Sequence, residues 1–159
     1  MVSNDRGETL DDDAASRLLR QRLPEFEPAI DEHLEDNFGE LLFHNLMGDL
    51  ARFYMTHAQH NRELQRRYWM AVDSLADHGD DSVQNAIGVS LIEWFAWGSA
   101  QERMALISAK PQMSRLVRSI ADEFLRAGGY DDRGRPRASE QSPSRPTSTQ
   151  RGDVVKARP

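Results

Sequence analysis

A chain of 159 residues with 38% hydrophobic content has room for one domain with a real core and not for two. It contains no cysteine, which excludes disulfides, thiol nucleophiles and cysteine-ligated zinc and points to a cytoplasmic protein. The net charge of −6 is unevenly placed, with 13 basic against 22 acidic side chains in residues 1–129 and seven against four in residues 130–159, so an acidic body precedes a basic tail.

The opening residues MVSNDRGETLDDD are polar and acidic, unlike the basic start and apolar middle of a signal peptide. Residues 1–8 are expected to be disordered. Next, TLDDDAASRLLRQRLPEF reads as a helix with Thr9 and Asp12 in capping-box spacing. A shorter helix is expected from Asp31 to Phe38, after Pro28.

From Arg22 to Arg52 there is no Lys or Arg, yet the interval holds eight acids: Glu25, Glu27, Asp31, Glu32, Glu35, Asp36, Glu40 and Asp49. Clustered acids usually make a solvated helix face. Without any local cation, a face carrying Asp31, Glu32, Glu35, Asp36 and Glu40 also fits a basic protein, because charge complementarity steers association. The same field repels nucleic-acid phosphates.

GELLFHNLMGDLARFYMTHAQHN puts Leu42, Leu46, Leu50, Phe53 and His57 on one helical stripe. Two spacings on it could present metal ligands, Glu40 with His44 and His57 with His60. No His-Glu-x-x-His or aspartate-rich calcium loop accompanies them, so no metal and no cofactor is expected. His33 with Asp36 is a weaker pair of the same kind.

NRELQRRYWMAVDSLADHG follows, with Leu64, Tyr68, Val72 and Leu75 as its stripe and Gly79 as its stop. DDSVQNAIGVSLIEWFAWG, capped by Asp80 or Asp81, has apolar residues around most of its circumference and should be the central helix. Its charge-free stretch, residues 82–92, is eleven long, well short of the roughly 20 apolar residues a spanning helix needs. Neither a membrane nor a specific nucleic acid is an expected partner.

Glu93 lies on the edge of that helix's apolar face, beside Ala86, Val89 and Trp97. One reading makes it an architectural carboxylate, paired with Arg52, Arg66, Arg67, His44 or His57. The alternative makes it the acid of an interhelical pocket with a small-molecule or metal-dependent activity, with His44 or His57 and with Asn85 on the same helix. Gly48 and Gly88 sit inside helical patterns, where each costs roughly 1 kcal/mol relative to Ala; close helix packing is the preferred explanation and a ligand passing near the backbone the other. Self-association through exposed aromatics, Trp69 or Trp97, is a third functional reading.

AQERMALISAK gives one more short helix, and KPQMSRLVRSIADEFLRAGG gives the clearest one, with Met113, Leu116, Val117, Ile120, Ala121, Phe124 and Leu125 in register, Pro111 in the first turn and Gly128 at the stop. The remaining residues, 130–159, hold four of the seven prolines and almost no large apolar group, and are expected to be a disordered Arg/Pro/Ser-rich tail. The whole is an all-α fold, an irregular bundle or short stack of antiparallel helix pairs over residues 9–129. No phosphate loop, dinucleotide fingerprint or Gly-x-Ser-x-Gly elbow is present, so no catalytic residue is assigned.

EHLEDNFGELLFHNLMGDLARFY and DDSVQNAIGVSLIEWF resemble a family of small bacterial all-helical domains of unknown function, some of them immunity-protein-like. The similar features are the acidic start, His44 with Gly48 and Asp49, and Asn85 through Glu93, within residues 24–127. The resemblance implies a single, non-enzymatic helical domain and transfers no catalytic residue.

Overall fold

The computed structural model describes residues 9–138. α1 (Asp12–Arg22) is capped by Asp11, whose carboxylate accepts the Ala14 N–H at 2.8 Å. The cap is therefore Asp11 rather than Thr9, because Leu10 is committed elsewhere. Its N–H donates to His78 O and its carbonyl accepts the Asp80 N–H, both at 2.8 Å, and that extended pairing cannot be part of a helix.

A 3₁₀ turn, Pro24–Phe26, leads into α2 (Glu27–Asp36), with Pro28 inside the first turn, so α2 begins ahead of the expected Asp31. It stops at Asp36, where the Asn37 side chain folds back on the last turn, Nδ2 donating to His33 O at 2.6 Å beside the Asn37 backbone N–H at 3.2 Å. Phe38 and Gly39 follow at φ 55° and 85°, two left-handed residues that reverse the chain. α3 (Phe43–Phe53) runs into a π turn, Tyr54–Ala58, marked by the Gln59 N–H to Tyr54 O bond of 2.9 Å.

α4 (Arg62–His78) is capped by Asn61 and ends at Gly79. α5 (Asp81–Ala86), capped by Asp80, passes through a π stretch, Ile87–Ile92, into α6 (Glu93–Ala96). A capping box of Ser99 and Glu102 starts α7 (Ala100–Ala109). Ser114 caps α8 (Arg115–Ala127), and Pro111 sits in a separate 3₁₀ turn, Lys110–Gln112, rather than in α8 itself.

The Ile87–Ile92 stretch is packed by α3 on one side and α8 on another, as its all-round apolar surface requires. At the centre, the rings of Tyr54, Tyr68, Trp69 and Phe95 meet, with centroids 4.8 Å apart for Tyr54–Tyr68 and 5.4 Å for Tyr54–Trp69. Tyr68 and Trp69 are completely buried; burying one large apolar side chain contributes about 1.5–3 kcal/mol. Trp69 is thus core and not available for self-association. Trp97 is half exposed, but its indole N–H is bonded to Phe124 O at 2.9 Å.

Order continues past the expected end at residue 129. Arg137 N–H donates to Gly129 O at 2.8 Å, Asp131 N–H to Arg135 O at 2.9 Å, and the Arg103 guanidinium lies 4.0 Å over the Tyr130 ring. The Asp131 carboxyl, accepting backbone N–H groups of Arg135 and Arg133, is held below its ordinary pKa. A sequence poor in apolar groups is ordered here by a side chain that satisfies its own turn. The other segments expected to be disordered, 1–8 and 139–159, lie outside the described residues.

Among the described residues there is no strand, only isolated bridges at Leu10–Gly79 and Tyr130–Pro136. No described helix is long and apolar enough to cross a membrane.

Candidate functional site

The eight acids without a local cation separate into two groups once the chain is folded. Arg20 from α1 pairs with Glu27 at 2.9 Å and with Asp31 at 2.6 Å. Arg67 from α4 holds Glu25 at 3.0 Å, and Arg52 pairs with Asp49. The Arg67 hydrogen bond keeps the Glu25 carboxyl below its usual range, and the hydrogen bond that Arg20 donates to Asp31 raises the Arg20 pKa. Compensation absent in the sequence is therefore supplied in space, to four of the eight.

Glu32, Glu35, Asp36 and Glu40 are the other four. All are exposed, and among the described residues none makes an ion pair or a side-chain hydrogen bond. They lie on α2 and on the turn after it. Of the five residues expected to bind a partner, Asp31 alone is already engaged.

Amid these four stands Phe38, at 101% relative exposure. A left-handed backbone at a residue with a Cβ costs about 1–2 kcal/mol, and this side chain gains no burial to offset it. Phe38 is thus in a turn and not at the end of the expected Asp31–Phe38 helix, a position that Gly39 after it signals.

The inner face of α2 carries His33, 5% exposed. Leu42 N–H donates to its Nε2 at 3.2 Å, so Nδ1 carries the proton and donates to Asp49 Oδ2 at 3.3 Å. His33 thereby clamps α2 to both the start and the middle of α3. Its surroundings satisfy both ring nitrogens, which defines a structural role.

Above this clamp, α2 and α3 diverge to leave a cleft of about 690 Å³, lined by Glu32, His33 and Asp36 on one side and by His44, Gly48, Asp49, Arg52 and His57 on the other. His57 is exposed rather than buried along the apolar stripe, because the π turn after Phe53 adds a residue and rotates the helix face. Its ring stacks on Phe53 at 5.0 Å and 19°, and its Nδ1 shares a 2.7 Å hydrogen bond with Thr56 Oγ1. His44 shares one of 2.7 Å with Ser90 Oγ.

His44 and His57 thus line one cleft, and Glu93 and Asn85 do not. Glu93 is half-buried in a neighbouring groove with Val89, Trp94, Trp97 and Glu102. Its carboxylate forms no hydrogen bond or ion pair among the described residues, so the expected tether to Arg52, Arg66, Arg67, His44 or His57 is not made. The π stretch Ile87–Ile92 precedes Glu93 and shifts it off the helical register on which that tether depended. Asn85 is exposed on α5. Among the described residues no three His, Asp or Glu side chains converge where a metal ion could sit.

These features define a small all-helical domain with an acidic face, an exposed aromatic and a polar cleft beside them. The chain belongs to the family described as Domain of unknown function (DUF7674), whose model matches residues 16–126, from α1 into α8. No curated protein and no solved structure matched.

Proposed function

We propose that the protein is a non-enzymatic interaction module that binds a basic protein through α2 and the turn after it. The reading is carried by one observation: Phe38 is held wholly in solvent on a left-handed backbone, among four carboxylates that no described cation neutralises. An exposed aromatic in the same segment as uncompensated charge supplies what an interface needs, a large anchor for affinity and a field for steering. The immunity-like character implied by the resemblance fits this form, with the acidic face occupying a basic surface of a toxin.

The test is capture from the native cell extract at low salt, using the full-length protein and the Phe38→Asn variant side by side. Asn accepts the left-handed backbone and removes the anchor. A stoichiometric basic protein retained by the wild type and lost from the variant supports the module. Equal retention by both would refute it.

A further inference from the structure

We propose that the α2–α3 cleft receives one cationic side chain of the partner, a guanidinium in preference to an ammonium; this rests on the interaction reading above. The first ground is Gly48. It lies inside α3, and a Cβ built there would meet only the Arg52 guanidinium, at 3.7 and 4.0 Å. At Gly88, by contrast, a Cβ would meet the Phe124 ring at 3.4 Å, the near limit of ordinary contact, so that glycine faces a packed neighbour of α8 and not the cleft. Only the end of the flexible Arg52 side chain lies over Gly48, at ordinary contact distance, so the fold does not require a glycine there; the helix bears the cost of an interior glycine and presents bare backbone on the cleft wall.

The second ground is the charge of the lining. Asp49 is shared between Arg52 and the His33 N–H, which neutralises Arg52 and leaves Glu32 and Asp36 as the uncompensated charges of the opposite wall. Asp36 also stands at the C-terminal end of α2, the negative end of the helix dipole. The third ground is the His57 ring: one face is covered by Phe53 and the side chain is exposed, offering a flat surface. A planar fork that bonds carboxylates and stacks on rings matches this set better than a compact ammonium does.

The experiment is an NMR titration of the isotope-labelled full-length protein with Nα-acetyl-argininamide, with the lysine analogue and the neutral citrulline analogue in parallel. The expected result is a saturable shift centred on the Gly48 amide and the His57 ring, with affinity at least ~10-fold weaker for citrulline. Gly48→Leu, which fills the cleft with a good helix former, should abolish the shift without lowering the melting temperature. Asp36→Asn should weaken it while leaving α3 bare. The absence of a saturable shift with the arginine probe, equal binding of citrulline, or unchanged binding by Gly48→Leu each overturns the cleft proposal. If the probe fails while the Phe38-dependent partner is still captured, the cleft alone is wrong; if the probe binds as expected and no such partner is captured, the interaction module is wrong.

Discussion

Replacing Gly48 with Ala should make the protein more stable. Gly48 lies within α3 (Phe43–Phe53), where Ala is favoured over Gly by about 0.5–1 kcal/mol through the entropy of the unfolded chain. The new methyl would rest at ordinary contact distance, 3.7 Å from Arg52 Nη1, so no steric term offsets that gain. At about 2.1 cal/mol/K of unfolding entropy per residue, a domain of this size should melt about 2–4 °C higher. Urea denaturation gives the free energy directly, and a raised midpoint at an unchanged m-value would show a gain in stability without a change in the surface exposed on unfolding. Two other glycines calibrate the argument. At Gly79 the methyl would come within 2.7 Å of Val83 Cβ and overlap Leu75 O, so Gly79→Ala should destabilise by more than 1 kcal/mol or so. Gly88→Ala, 3.4 Å from Phe124, should fall between. A Gly48→Ala protein less stable than wild type would refute the reading of an open cleft over α3.

Phe38→Asn should raise stability by up to about 1 kcal/mol, since Asn tolerates the left-handed region and no buried contact is lost; a fall in the melting temperature would mean that Phe38 packs in the folded protein. His33→Leu keeps the volume but orphans the Leu42 N–H and one side of Asp49, and should cost about 1–3 kcal/mol in the urea midpoint. For Glu25, the Arg67 hydrogen bond lowers the folded pKa below its ordinary 4.5. Its contribution is therefore fully present above that value and lost as pH falls through the depressed one. Glu25→Gln should be less stable at neutral pH by no more than about 1 kcal/mol, the pair being partly exposed, and should match wild type in strong acid; a gap that persists or widens there would contradict the pairing.

The helices were legible because their signals are local. Leu64, Tyr68, Val72 and Leu75 repeat at helical spacing and are all buried in α4, and Gly79 and Gly128 stand where α4 and α8 stop. Caps were less legible where a distant strand-like pairing decided them, as Leu10 does in displacing the start of α1 to Asp11. The site was only partly visible. His44 and His57 could be singled out by type, and they do share a cleft, but the π segments Tyr54–Ala58 and Ile87–Ile92 break the 3.6-residue register on which side-chain directions were projected. One of them turned His57 outward and the other took Glu93 away from the groups proposed as its partners. Charge compensation was hidden for a different reason: Arg20 and Arg67 are remote in sequence from Asp31 and Glu25 and are brought to them by packing of α1 and α4. The resulting contrast between paired and unpaired acids, with Phe38 among the unpaired, exists only in three dimensions.

The central claim is that the unpaired acids, rather than the acidic composition at large, guide a partner to this face. It is tested most directly by measuring the affinity of the captured partner as a function of salt, for wild type and for a variant with Glu32, Glu35, Asp36 and Glu40 all changed to Gln. Screening weakens attraction between exposed charges as the Debye length shortens from ~30 Å at 0.01 M to ~8 Å at physiological ionic strength. The account predicts a steep loss of affinity with salt in the wild type and a weaker, nearly flat dependence in the variant. Identical slopes for the two proteins would contradict it.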